Sequence, residues 1–181
     1  SEMCIRDSHG TDRGLVAGLL GMWPDDERIP DSFEIARKMG LSYSFGIANL
    51  TSAHPNSVVL EVKGKSGRTL EVQACSLGGG RIMINRLDGL DVNCSCEIPT
   101  LIVHNLDQPG HVAEVTSMLA HKSVNIANMS LYRDKRGGSA VMVVEMDQPL
   151  PKESLEWLEH LEGIVKVTYI NVTEGEEDDV L

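Results

Sequence analysis

A short polar turn carries the side chains with which this chain could bind a small ligand. It contains Asn105, Asp107, Pro109 and Gly110 and follows the β-branched run 101–103, which favours a buried strand. Asn and Asp favour turns because they hydrogen-bond nearby backbone groups, and Pro fits the first turn of a helix. Glycine lets a ligand or another backbone approach closely. The free N–H groups and positive dipole end of the following helix suit a carboxylate, so the turn is a candidate sensor site. The alternative is an ordinary strand–helix connection.

The segments around the turn predict a β-α-β-β-α-β order. Val112, Val115, Thr116 and Leu119 recur at helical spacing directly after it. The later elements are predicted to be a strand at 125–132, a hairpin turn at 134–138, a strand at 139–146, a short helix after Pro149 and Pro151 that Gly163 ends, and a strand at 164–172. This order is typical of a ferredoxin-like domain, in which two helices cover one face of an antiparallel sheet.

Residues 98–173 resemble an ACT domain, the amino-acid-sensing module of many metabolic enzymes. The matching residues are the turn at 105–110, the helix after it and the run 124–129, Val-Asn-Ile-Ala-Asn-Met. ACT domains typically pair side by side, and the effector lies between the turn of one copy and the Asn-Ile strand of its neighbour. The resemblance therefore implies a homodimer through this domain and a small amino acid as effector.

The ligand contacts follow from the same resemblance. Asp107 would hold the amino group of the effector, and the N–H groups of the turn and helix would hold its carboxylate. For Asn125 and Ile126, packing at the start of a strand is the other interpretation. The implied effector-binding residues are Asn105, Asp107, Pro109, Gly110, His111, Asn125 and Ile126.

Composition limits the possible partners and location. The 181 residues carry a net charge of −11 and only 4% aromatic residues, which argues against nucleic acid and anionic membranes as partners. Hydrophobic residues make up 41%, enough for a packed core, yet no run reaches the ~20 apolar residues of a membrane-spanning helix. No signal peptide is visible, and the cysteines are too irregular for a disulfide scaffold. We therefore expect a cytoplasmic protein.

Both termini differ from the rest of the chain. Residues 1–8 have no helical or strand period and resemble translated adapter sequence, so we expect a non-native leader. Residues 174–181 form an acidic tail that is predicted to be disordered.

Residues 9–97 predict a mixed domain of helices followed by strands. Asp12 and Asp31 are candidate N-caps, and Gly40 is a candidate end for the second helix, 32–39. Strands are predicted at about 41–47, 57–63, 69–76 and 81–87, with a glycine-bearing hairpin at 63–67. The fold class of the whole chain is therefore α+β, with a junction near 94–98.

Three stretches of this first half resemble the β subunit of bacterial iron–sulfur-dependent L-serine dehydratases (L-serine ammonia-lyases). They are 9–26, beginning His-Gly-Thr-Asp-Arg-Gly, then 53–57 (Ala-His-Pro-Asn-Ser), and 76–85, which contains three successive glycines. An ACT domain directly after this domain fits the β chain of the two-chain enzyme. A Ser-Ser-His-Thr stretch of the family is missing upstream of residue 9, so an N-terminally truncated β domain is expected.

The resemblance implies a lyase that converts L-serine to pyruvate and ammonia, with L-serine as the expected effector. A [4Fe–4S] cluster would act on the substrate hydroxyl, and the catalytic α subunit would ligate it, with no metal on this chain. We expect Cys75, Cys94 and Cys96 to be structural or incidental thiols. Since no Ser-His-Asp set, zinc set or acid pair is evident, we assign no catalytic residue and expect the chain alone to be inactive.

Some residues of the matching stretches could contact the substrate cleft or the α subunit. The ordinary alternatives are a surface or core role for each histidine, an ion pair of Arg13 with Asp12 or Asp26, and a turn for the glycines. The candidates are His9, Arg13, His54, Gly78, Gly79 and Gly80.

Two other functions fit parts of the pattern. One is the regulatory region of a phosphoglycerate-dehydrogenase-like enzyme, which would require an upstream dinucleotide-binding domain; this chain contains no G-x-G-x-x-G in a βαβ context. The other is a stand-alone amino-acid-binding module, which would bind its ligand as a homodimer without a catalytic partner.

Overall fold

The computed structural model describes residues 10–47, 50 and 53–171, and the chain divides into two compact units, Ser1–Leu50 and Thr51–Leu181. The predicted leader, His9 and the acidic tail lie outside the described residues. No helix in the described part of the chain is long and apolar enough to cross a membrane.

The first unit is helical. It contains α1 (Thr11–Leu19), a 3-10 turn (Ile29–Asp31) and α2 (Ser32–Met39), which begins and ends where the Asp and Gly signals predict. The prediction that Asp12 caps α1 is wrong, because Gly10 occupies the N-cap position and Asp12 lies within the first turn.

The strand predicted at 41–47 is also absent, because this segment is irregular in the structure. Its alternating pattern places Tyr43 and Phe45 beside Phe33 of α2, with ring centroids 5.4 and 6.2 Å from the Phe33 ring. The aromatic side chains therefore pack on a helix, and no partner strand pairs with their backbone.

The second unit begins with a four-stranded antiparallel meander. Its strands are β1 (Ser57–Lys63), β2 (Thr69–Gly78), β3 (Arg81–Leu87) and β4 (Leu90–Cys94), in the order β1-β2-β3-β4. The predicted limits of β1 and β3 are confirmed, and β2 extends two residues further than predicted.

A second antiparallel sheet has the ferredoxin-like order β6-β7-β5-β8. The predicted β-α-β-β-α-β sequence and the α+β class are confirmed. The elements are β5 (Thr100–Leu106), α3 (His111–His121), β6 (Ile126–Arg133), β7 (Ser139–Met146), α4 (Lys152–Glu159) and β8 (Ile164–Ile170).

Alternation along β5 sends its side chains into two cores. Leu101 and Val103 pack with residues of α3 and α4, whereas Ile102 packs with residues of β3 and β4. The first sheet therefore covers the face of the second sheet that the helices leave open. The domain boundary expected near residue 97 lies inside this unit, in the segment that joins β4 to β5.

Candidate functional site

The turn between β5 and α3 leaves the start of the helix open. The helix begins at His111, so Pro109 lies before it and not in its first turn as predicted. Gly110 occupies the N-cap position with φ 110°, and no side chain caps the helix there. A Cβ at Gly110 would meet no atom within 4 Å, so the space beside the turn is open. The first N–H groups of α3 therefore face an approachable surface.

Asp107 anchors the turn to the hairpin between β6 and β7. Its Oδ2 accepts hydrogen bonds from Gly137 N at 2.9 Å and Arg133 Nη1 at 3.0 Å, and its own N–H donates to Gly138 O. The backbone N–H of Gly137 and the Arg133 guanidinium hold the pKa of the Asp107 carboxyl below its ordinary value. The carboxylate is thus charged and fixed in position, with one oxygen already used by the protein.

Asn105 and His111 lie buried behind this turn. Asn105 donates from Nδ2 to Leu106 O at 2.7 Å, and His111 Nδ1 lies 3.4 Å from Glu114 Oε2. Their other polar atoms, Asn105 Oδ1 and His111 Nε2, are buried without a hydrogen-bond partner among the described residues. An unpaired buried polar atom costs about 1–3 kcal/mol, so such atoms are typical of places that bind a polar group.

Asn125 and Ile126 lie at the opposite end of the same sheet. Leu106 pairs with Ser139 at the start of β7, whereas Ile126 pairs with Met146 at its end. The ends of this eight-residue strand are about 23 Å apart at roughly 3.3 Å per residue. The two halves of the predicted effector site therefore do not meet within one chain.

Asn125 is held by its own surroundings. Its N–H donates to Gln148 Oε1 at 2.7 Å and its Nδ2 to Asp147 Oδ2 at 2.5 Å. Ile126 is half-buried and packs against the core under the helices. The side chains at the start of β6 are consequently ordered before any ligand arrives.

The candidates in the first half of the chain have local contacts of their own. Arg13 lies 5.8 Å from the Phe33 ring centroid, and the ion pair considered with Asp26 is absent because Asp26 bonds to Arg28. His54 is exposed and accepts from Asn56 N at 3.2 Å. Gly78, Gly79 and Gly80 form the β2–β3 turn with φ of 84°, 62° and 78°, which accounts for three glycines in succession.

A polar cluster between the two sheets was missed by sequence reasoning. Lys166 Nζ donates to Asp88 Oδ2 at 2.5 Å and to Thr69 O at 2.8 Å, and His104 Nε2 lies 3.6 Å from Asp88 Oδ2. Burial opposes ionisation of Asp88, but bonds from Lys166 and the Glu71 N–H outweigh it and lower its pKa. Burial lowers the pKa of His104. A polar residue within the apolar strand 101–106 was the available signal.

The three described cysteines offer few ligands to a metal. In the part of the chain that the structure describes, no group of three or more His, Cys, Asp or Glu side chains is arranged to hold an ion. The sulfur atoms of Cys94 and Cys96 lie 3.2 Å apart, and Cys75 is buried in β2. Two thiols do not match the four thiolates typical of an iron–sulfur cluster, so these residues do not fit that group.

Comparison with known proteins relates both halves of the chain to metabolic enzymes. The family model of the ACT domain matches residues 99–162, which span β5 to the end of α4. The β chain of L-serine dehydratase from Peptoniphilus asaccharolyticus is 34% identical over 165 residues, covering 91% of this chain and 74% of the relative. A probable L-serine dehydratase β chain from Bacillus subtilis is 34% identical over 162 residues, covering 90% and 73%.

A second group of relatives shares a smaller part of the chain. The D-3-phosphoglycerate dehydrogenase of Methanocaldococcus jannaschii is 31% identical over 90 residues, which are 50% of this chain and 17% of that enzyme. The similarity to dehydratase β chains extends over both sheets and the helical unit. The similarity to the Methanocaldococcus jannaschii dehydrogenase extends over half of the chain.

Proposed function

Because the chain belongs to the family of L-serine dehydratase β chains, we propose that it is the regulatory and structural subunit of an enzyme that converts L-serine to pyruvate and ammonia. Similarity to the β chains over some 90% of the sequence supports this, as does the ACT domain. The cytoplasmic location stays a prediction from the sequence.

In this proposal a separate α subunit holds the [4Fe–4S] cluster and carries out the elimination. The paired thiols Cys94 and Cys96 are too few for a cluster, and no larger donor group occurs among the described residues. The role of this chain is then to bind the α subunit and to report the level of an amino acid. Exposed residues of the matching stretches, Arg13 and His54 among them, are candidates for that contact.

The sensor role is supported mainly by the positions of the candidate effector residues, which lie at opposite ends of one sheet. Asp107 and Gly110 lie beyond the end of β5, and Asn125 lies before the start of β6. A second copy of the chain can complete the site if its β6 start reaches the turn of the first. The effector would then bind only at the interface of a dimer.

The sheet order provides a way to build that interface. Strand β6 forms one edge of the second sheet, and Leu131 on it is 57% exposed. Antiparallel pairing of β6 with β6 of a second copy about a two-fold axis would place one strand's start beside the other's end. The end of β6 carries Arg133, which bonds to Asp107. This pairing therefore brings Asn125 of one copy toward the Asp107 turn of the other.

L-serine suits the polar groups of such a site. The uncapped N–H groups of α3 would bind its carboxylate, and Asp107 Oδ1 would accept from its ammonium group, since Oδ2 is used by Arg133 and Gly137. Its hydroxyl would pair with the buried Oδ1 of Asn105, since His111 Nε2 faces Gly163. Since one ligand then contacts two copies, binding and dimerisation are thermodynamically linked.

Isothermal titration of the chain with L-serine, D-serine and glycine tests the sensor role. We expect saturable, stereospecific binding of L-serine that is lost in Gly110→Val, because the added side chain fills the open space beside the turn. Gly67→Val is the matched control, since Gly67 also has positive φ and open space but lies in the β1–β2 turn. Unchanged affinity in Gly110→Val would refute the site, and equal loss in both variants would assign the effect to folding.

Sedimentation velocity tests the proposed dimer. Leu131→Lys should dissociate it and weaken L-serine binding, whereas Val165→Lys on the opposite edge strand, β8, should change neither.

The subunit role is tested by a separate measurement, the serine dehydratase activity of the α subunit with and without this chain. L-serine binding without any effect on that activity would favour a stand-alone amino-acid-binding module.

A further inference from the structure

Two buried cysteines meet where β4 ends and the chain crosses to β5. The sulfur atoms of Cys94 and Cys96 are 3.2 Å apart, and the two residues are 2% and 6% exposed. A disulfide has a sulfur–sulfur distance of about 2.05 Å, so the atoms need to approach by only about 1.2 Å to bond. Cys75, in contrast, is a buried cysteine in β2 with no sulfur contact among the described residues.

The backbone helps to bring the two sulfur atoms together. Cys94 is the last residue of β4 and pairs with Ile84, after which the ladder to β3 stops. Cys96 has φ 54°, a left-handed conformation that is uncommon for residues other than glycine. Such conformations persist where the surrounding structure holds them and are often found at functional positions. Here the turn at Cys96 ends the extended geometry between the two residues.

The contact also makes the two thiols chemically unequal. The hydrogen bond between the two sulfur atoms, in which either thiol can donate, holds the pKa of Cys94 below its ordinary value. The same contact, together with burial, raises the pKa of Cys96. The contact therefore favours a thiolate on one sulfur, assigned here to Cys94, and it places the other sulfur 3.2 Å away, where it can attack what forms on the first.

We propose that Cys94 and Cys96 form a reversible disulfide when the chain is exposed to a hydroperoxide. The Cys94 thiolate attacks one peroxide oxygen, the O–O bond breaks, and a sulfenic acid forms while the leaving oxygen departs as water or alcohol after taking up a proton. The Cys96 sulfur then attacks the Cys94 sulfur, the S–O bond breaks, and water leaves with the Cys96 proton. Two thiols are oxidised by two electrons, and one hydroperoxide is reduced.

The surroundings permit this reaction without unfolding of a sheet. Ser95 is half-buried, Glu97 is exposed, and residues 95–98 belong to no strand. The segment can thus open to a small oxidant while the β3–β4 ladder stays intact. Because both sulfur atoms belong to the core between the two sheets, the disulfide would close a small ring in the link between them.

Peptide mass spectrometry of the full chain tests the proposal directly. Trypsin places Cys94 and Cys96 together in peptide 87–122 and Cys75 in peptide 69–81. After hydrogen peroxide treatment, the chain is unfolded in the presence of iodoacetamide and digested. We expect peptide 87–122 to be unalkylated and lighter by two hydrogen atoms, and to recover both thiols after dithiothreitol. Its thiols should disappear at least about tenfold faster than that of Cys75, because Cys75 has no second thiol beside it and lies within the paired strand β2, whereas the segment after Cys94 belongs to no strand and can open.

Variants separate the disulfide from nonspecific oxidation. In Cys96→Ser the intermediate should stop at a sulfenic acid on Cys94 that dimedone traps, whereas Cys75→Ser should form the disulfide as the wild type does. Two alkylated thiols in peptide 87–122 after oxidation would overturn the proposal. So would sulfinic or sulfonic acids without a disulfide, or loss of the Cys75 thiol at the same rate.

Discussion

Gly163 lies against the buried ring of His111 and allows no side chain. A Cβ there would lie 2.5 Å from His111 Nε2 and 2.6 Å from Cε1, and Gly163 has φ 80°. His111 begins α3 beside the candidate effector turn and is only 7% exposed, so its ring has little room to move. We therefore expect Gly163→Ala to push the ring out of its place and to disturb the start of the helix.

The expected cost has two parts. A left-handed conformation costs a residue other than glycine roughly 1–2 kcal/mol. Overpacking of a buried site typically adds about 1–3 kcal/mol. Gly163→Ala should therefore lower the free energy of unfolding by about 2–5 kcal/mol. Gly110→Ala, where φ is also positive but the Cβ meets open space, should introduce backbone strain without the overpacking.

Urea unfolding of a double-mutant cycle separates the two parts. In a His111→Ala background the clash is gone, so Gly163→Ala should cost only the backbone strain, and the coupling between the two positions should be about 1–3 kcal/mol. An equal cost of Gly163→Ala in both backgrounds would show that the ring is not what excludes a side chain, and it would refute the reasoning.

Two further outcomes follow from the contacts between the sheets. Because burial lowers the pKa of His104 from 6.5, the unfolded chain binds more protons between the two pKa values, so the free energy of unfolding should fall as pH drops through about 6.5; His104→Gln should flatten this slope in urea titrations at pH 5 to 8. If L-serine binds as proposed, titration with it should shift the Asn93 amide resonance, and Tyr132→Phe should reduce this shift because the Tyr132 hydroxyl accepts from that N–H. An undiminished shift would exclude transmission through Tyr132.

The strands of this chain were predictable where turn residues stand at the ends of an apolar run. The limits of β7 follow from the glycine-rich hairpin before it and the prolines after it, and those of β1 from the glycines of the next turn. The strand predicted at 41–47 failed for a physical reason. Its alternation is real, but the aromatic side chains find partners on α2, and no sequence pattern shows which neighbour they choose.

The candidate site was predictable in its residue types but not in its connections. Asn105, Asp107 and Gly110 are recognisable from turn chemistry alone. The bond from Arg133 to Asp107 joins positions 26 residues apart, and that from Lys166 to Asp88 joins positions 78 apart. Both depend on strand register and sheet packing, which are set by tertiary contacts that a local pattern does not contain.

Two hydrogen bonds made by neighbouring residues of β6 connect the candidate effector turn and the first sheet. Asp107 bonds to Arg133 at the end of β6, and the adjacent Tyr132 hydroxyl accepts from Asn93 N of β4 at 3.1 Å. A ligand that takes up the free oxygen of Asp107 acts on this hairpin first, and β4 is the next element it reaches. Coupling between the two sites requires one element with two arrangements that both sites bias. The β6–β7 hairpin is the candidate for that element, since it belongs to the turn's hydrogen bonds, to the proposed dimer edge and to the contact with the first sheet.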